Sequence, residues 1–78
     1  MAKEKNMSIK AARRLVREGD FVAEVDVGLI EGEADWAPYL SLDDAYRLDD
    51  VREALRAGDL RRASRLAGRV YRLMPVTA

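Results

Sequence analysis

The chain has 78 residues, with fourteen basic and fourteen acidic side chains, no cysteine and no histidine. That length makes one domain with a thin core, burying about 60–65% of the unfolded surface. The composition excludes a disulfide framework, a thiolate metal site and any catalysis that needs histidine or cysteine.

Met1–Ser8 is polar, bears lysines and has no period, so it is expected to be a mobile tail ahead of one α+β domain over residues 9–78. Met7 is an alternative start. Met1–Lys10 has no apolar core behind its lysines and does not read as a signal peptide. No apolar run approaches the roughly 18 residues that span a membrane, so a cytoplasmic location is expected.

Ala12–Arg17 and Phe21–Ile30 read as the two strands of an antiparallel hairpin. Phe21, Ala23, Val25, Val27 and Leu29 alternate with Val22, Glu24, Asp26 and Gly28, the period of a strand with one face buried. Glu18-Gly19-Asp20 is the turn, with Gly19 free to take positive φ. Leu15 and Val16 are adjacent, and the pattern does not choose which points inward. Two strands alone leave two open edges, so edge pairing with a second copy is expected, giving a homodimer, and a strand added by a partner protein would serve the same need.

Glu31–Tyr39 fits no period and reads as a loop. Ser41 then starts a helical stretch, with its hydroxyl at the N-cap and Asp43 and Asp44 in the first turn. Ala45, Leu48, Val51 and Leu55 follow at helical spacing. Asp50-Val51-Arg52-Glu53 is a second cap signal, so the stretch is one helix or a short helix followed by a longer one. Gly58 is placed to end it, and Asp59 to cap a second helix over Leu60–Leu73, which Pro75 stops. The two helices should pack as a hairpin.

Charge is sorted along the chain. Residues 1–19 hold six bases and two acids, residues 20–50 ten acids and Arg47 alone, and residues 51–78 seven arginines and two acids. Segregation of this kind suits docking on charged partners. In the acidic block, Glu31, Glu33 and Asp35 with Trp36 and Tyr39 form a candidate protein-binding site, since loop aromatics are typical interface anchors. The competing use of Trp36 is as a lid on a thin core. In the basic block, Arg61, Arg65, Arg69 and Arg72 recur at intervals of four, four and three, with Arg62 beside them. On one helix they would line one face, suited to phosphate or carboxylate. The alternatives are a solvated face and internal pairing with the acidic first helix.

Enzyme chemistry is not expected. Ser8, Ser41 and Ser64 lack a nucleophile context, and Asp43, Asp44, Asp49 and Asp50 read as helix-start charges near Arg47 and Arg52, with Asp43 and Arg47 a favourable pair. Glu31, Glu33 and Asp35 lack the offsets of a calcium loop, and there is no phosphate-cradling glycine motif, so no metal or cofactor is expected.

Gly19-Asp20-Phe21-Val22-Ala23, then Leu40-Ser41-Leu42-Asp43-Asp44-Ala45 and Val51-Arg52-Glu53-Ala54-Leu55, resembles the HicB-type antitoxins over residues 18–55. The resemblance implies a bacterial antitoxin that neutralises a toxin and binds its own operator DNA, and the acidic block would mask a basic surface of that toxin. The expected function is therefore a small interaction protein of the antitoxin kind, acting through the acidic block. The alternatives are a nucleic-acid-binding regulator acting through the arginine helix, and a structural dimer or assembly subunit.

Overall fold

The computed structural model describes residues 8–32 and 37–77. It is an α+β fold of an antiparallel sheet and two helices, with elements β1 (Ser8–Glu18), β2 (Phe21–Glu31), β3 (Tyr39–Leu40), α1 (Leu42–Arg56), α2 (Leu60–Leu66) and β4 (Arg69–Arg72). The mobile tail expected over residues 1–8 lies outside the described residues except for Ser8, which already belongs to β1.

The hairpin is longer than its hydrophobic pattern suggests. β1 and β2 pair one-to-one from Ser8 opposite Glu31 to Glu18 opposite Phe21, with no bulge. Gly19 sits at φ +60° in the turn, a conformation that costs glycine little. Val16 points into the core and Leu15 points out, which resolves the ambiguity of that pair. Ala23, Val25 and Val27 are buried, as the alternation of β2 requires.

α1 is one helix. Asp44 N–H donates to the Ser41 hydroxyl at 3.1 Å, satisfying one orphan donor of the first turn. Asp50 stays in the helix interior because Val51, Ala54 and Leu55 must reach the sheet together, and their burial outweighs a second cap. The chain reverses at Gly58, φ +77°, and Asp59 caps α2 by accepting from Arg62 N–H at 3.1 Å. The core between the two layers is built mostly of valine and alanine, with Leu55 the one large side chain fully within it.

The second helix departs from expectation. It ends at Leu66, not Leu73, and the chain returns to the sheet as β4, so the fold is not a strand hairpin followed only by a helical hairpin. Gly68 is a poor helix residue, and Val70 and Tyr71 favour a strand. The deciding factor is the exposed edge of β2. β4 pairs with it from Phe21 opposite Arg72 to Glu24 opposite Arg69, giving its backbone groups partners that water would otherwise supply. Val70 remains on the helix side against the core, so both periods satisfy that position.

β2 is thus the central strand. On the side away from β1 it meets β4 along its first half and β3 at Leu29 and Ile30. Between them, among the described residues, no strand reaches it. There Gly28 N–H donates to Asp44 Oδ2 at 3.0 Å, and the Arg47 guanidinium donates to the Asp26 carbonyl. Arg47 and Asp44 also hold each other, at 3.1 Å. Two side chains of α1 therefore stand in for a missing strand. The pairing of Arg47 with Asp43 read from the four-residue spacing does not form. Asp44 takes the arginine because it alone also faces the Gly28 amide.

Asp44→Ala should lower unfolding free energy by about 1–3 kcal/mol in urea denaturation, since it leaves the Gly28 amide without a partner and removes one of the acceptors of the Arg47 guanidinium. Asp43→Ala should fall within about 0.5 kcal/mol of the parent. Equal effects from the two would show that the clamp does not hold the edge.

Candidate functional site

The helices cover one face of the sheet, and among the described residues nothing covers the other. Opposed residues of an antiparallel pair project to the same side. Val16, Ala23 and Val25 face the helices, so the neighbours of each in sequence face away. The open face is then a set of rows across the strands. Ile9, Ile30 and Tyr39 form one end, and Arg17, Val22 and Tyr71 the other. Leu15, Glu24 and Arg69 form the next row in, followed by Arg13 and Asp26.

One end of this face is apolar, the other carries Arg17 beside Val22 and Tyr71, and its middle is charged. Ile9 is 74% exposed, Leu15 63% and Tyr39 51%. In the middle, Arg13 lies 3.3 Å from Asp26 and 3.9 Å from Glu24, and the Tyr71 hydroxyl donates to Glu24 at 3.3 Å. A shallow depression of about 330 Å³ lies there, lined by Arg13, Glu24, Asp26, Gly68 and Arg69. The Tyr71 side chain, by hydrogen bonding and charge, and then Glu24 raise the pKa of Arg69 above its ordinary value. Arg13 is paired with Glu24 and Asp26, whereas Arg69 makes no ion pair among the described residues.

β1 also has an open edge. Residues Glu24, Asp26 and Gly28 direct their backbone groups toward β4 and α1, so the residues between them bond to β1. By the register, the even-numbered residues of β1 are bonded to β2. Ile9, Ala11, Arg13, Leu15 and Arg17 therefore present N–H and C=O groups outward, and among the described residues no strand meets them.

The sequence-derived sites fare differently. Glu33, Asp35 and Trp36 lie outside the described residues. Glu31 ends β2 and lies 3.8 Å from Lys10, and Tyr39 joins the apolar end of the open face. The arginine face does not exist as one surface. Arg61, Arg62 and Arg65 are on α2, with Arg61 and Arg65 exposed. Arg69 is on the open face, and Arg72 is on the helix side of β4, 5.5 Å above the Phe21 ring. Helical spacing put the five together only because the helix was expected to continue through Gly68. The exposed face of β1 was missed, since a strand with Arg13 and Arg17 alternating with Leu15 reads simply as solvated.

The acidic helix does not pair with the arginines of α2. Instead Glu18 of β1 receives two bonds from Arg56 of α1, at 3.1 and 3.4 Å, with Arg52 at 3.8 Å. The hydrogen bond from Arg56, reinforced by the charges of Arg56 and Arg52, holds the Glu18 carboxyl below its usual value. Among the described residues no three metal-ligating side chains converge, and no helix is long and apolar enough to cross a membrane. No protein-family model matches the sequence, and no curated protein or solved structure is significantly similar to it.

A carboxylate with a depressed folded-state pKa stabilises the fold above its unfolded value of 4.5, and that stabilisation disappears as pH falls through the lower folded value. Glu18→Gln should therefore lower Tm at neutral pH and lessen the loss of Tm below pH 4.5, relative to the parent protein. An unchanged acid limb would mean that the Glu18–Arg56 contact is not formed in solution.

Proposed function

We propose that this chain is a small non-enzymatic interaction protein of the antitoxin kind, holding a protein partner against the uncovered face of its sheet. The observation that carries the reading is the row Ile9–Ile30–Tyr39. A short chain leaves three large apolar side chains together at one end of a face that no helix covers. Apolar groups assembled on a face and rimmed by charge mark interaction sites more often than isolated exposed ones. Glu31 and Tyr39 also bound the loop inside the acidic block, so the apolar row adjoins Glu33, Asp35 and Trp36 in sequence. A partner with a basic, apolar-centred surface suits this end of the sheet, as a toxin masked by an antitoxin would.

Ile9→Ser combined with Tyr39→Ser should leave the far-ultraviolet circular dichroism unchanged. It should reduce recovery of the partner from native cells at least about tenfold, because truncating anchor residues costs more than 1 kcal/mol each. The recovered partner should arrest growth when expressed alone and not when co-expressed with this chain. A partner without such an effect removes the antitoxin reading and leaves the interaction reading.

A second reading, nucleic-acid binding, is supported by Arg61, Arg62 and Arg65, which make no ion pair among the described residues. Arg61→Gln with Arg65→Gln should then flatten the salt dependence of binding to duplex DNA by roughly 0.9 per lost phosphate contact. Absence of any salt-dependent binding by the parent protein eliminates this role.

A further inference from the structure

We infer that the outer edge of β1 receives an extended, acidic strand from a partner protein, which continues the sheet by backbone hydrogen bonding. The inference rests on the reading of the chain as an interaction protein, and it names a different surface and the chemistry of its occupant.

The edge lacks the geometric protections against strand addition. Natural edge strands are kept short, bulged, interrupted by proline or covered. β1 runs for 11 residues without proline, and its register with β2 is unbroken. At about 3.3 Å per residue it offers roughly 35 Å of straight edge. Its five outward residues alternate in position with those bonded to β2, so an added strand finds regularly spaced donors and acceptors.

What guards this edge is charge, and the charge selects the occupant. β1 carries Lys10, Arg13, Arg14 and Arg17 against one acid, Glu18. Glu18 is already engaged by α1. Arg14 and Arg17 make no ion pair among the described residues.

A second copy is a poor occupant. In a two-fold antiparallel pair, only registers that set outward residues against outward residues can form hydrogen bonds. Three of these pair at least nine of the 11 residues. They place Lys10 against Arg14, Arg13 against Arg13, or Arg14 against Arg14; the last also sets Lys10 against Glu18, whose carboxylate Arg56 and Arg52 already hold. Like charges directly opposite each other destabilise a strand pair. An acidic strand reverses the sign of each of these contacts.

The open face refines the match. On that face β1 contributes Ile9 and Leu15 as exposed apolar positions, and Arg13 and Arg17 as cations. The favoured partner strand therefore presents apolar side chains opposite Ile9 and Leu15 and carboxylates opposite Arg13 and Arg17. Added carboxylates on the other face meet Lys10 and Arg14. Strand addition of this kind takes affinity from the backbone and specificity from alternate side chains.

The test uses a fluorescein-labelled nine-residue peptide, ETVEETTEV, and its counterpart with lysine for glutamate, added to the full chain; in antiparallel pairing its glutamates fall opposite Arg17, Arg14, Arg13 and Lys10 and its valines opposite Leu15 and Ile9. The acidic peptide should bind, and the lysine peptide should bind at least about tenfold more weakly. On binding, amide hydrogen exchange should slow at Ala11, Arg13 and Leu15, whose N–H groups point outward. Lys10, Ala12 and Arg14, bonded to β2 throughout, should change little. Ala11→Pro removes one outward donor without touching the β2 ladder and should weaken binding at least about tenfold. Should that variant fold poorly, Arg14→Glu with Arg17→Glu serves instead and should reverse the preference toward the lysine peptide. Equal binding of both peptides by the parent chain, no binding, or binding without the alternating protection overturns the inference. So does protection of the outward amides in a peptide-free dimer seen by sedimentation, which assigns the edge to a second copy. Loss of partner recovery through Ile9 and Tyr39 bears on the proposed function alone, and that function stands if only the peptide experiments fail.

Discussion

A single central strand with a divided outer edge governs this molecule. β2 has one long neighbour, β1, and on its other side no element long enough to pair with all of it. Every backbone group on that side must still find a partner once the helices exclude water. The chain meets this need with three unlike pieces: a two-residue strand, a pair of α1 side chains and a four-residue strand. The position of α1 follows from this arrangement. Its first turn must lie over the gap so that Asp44 can reach Gly28, and its last turn must lie over Glu18 so that Arg56 can reach that carboxylate. Both tethers lie at the rim of a core too small in side-chain volume to set the helix angle unaided.

The sorted charges of the sequence have a structural counterpart, though not a direct one. The acidic middle block supplies Glu24 and Asp26 to Arg13 of the first block, and Asp44 to its own Arg47. The third block supplies Arg52 and Arg56 to Glu18. Some of the segregation is thus consumed in joining segments distant along the chain. What is left over is informative. It is the basic edge of β1 and the arginines of α2, on separate surfaces. Exposed pairs of this kind contribute little stability singly, about 0–1 kcal/mol, so their arrangement matters more for which partners approach than for folding.

Most of the scaffold was legible from residue order. The alternation from Phe21 to Leu29, the hydroxyl of Ser41, Gly58 and Asp59 each acted through local rules, and local rules survive in the fold. The sheet's fourth strand was not legible. Val70 satisfies a helix and a strand equally, and the choice was made by an unpaired edge some fifty residues earlier. The open face was hidden for a related reason. An arginine on a strand looks solvated whether or not a partner awaits it, and only the placement of both helices on one side shows that Ile9, Ile30 and Tyr39 stand together. The Asp44 clamp was half visible: the carboxylate was recognised as a helix-start charge, but its acceptance of the Gly28 amide depends on where the sheet runs out of strands.

The placement of β4 also bears on the order in which the molecule assembles. The hairpin closes across a turn of two residues, whereas Phe21 cannot meet Arg72 until fifty intervening residues have been arranged. Closure of so long a loop costs entropy that four residues of strand barely repay, and the helices must first bring the ends together. The C-terminal strand is therefore the last piece to dock and the first to open in local fluctuations. When it opens, Phe21–Glu24 loses its neighbour while the hairpin and α1 remain in place. The C-terminal segment thus behaves as a latch on the sheet, and cleavage or tethering near Leu73 would act on the far side of β2 without disturbing the turn that started it.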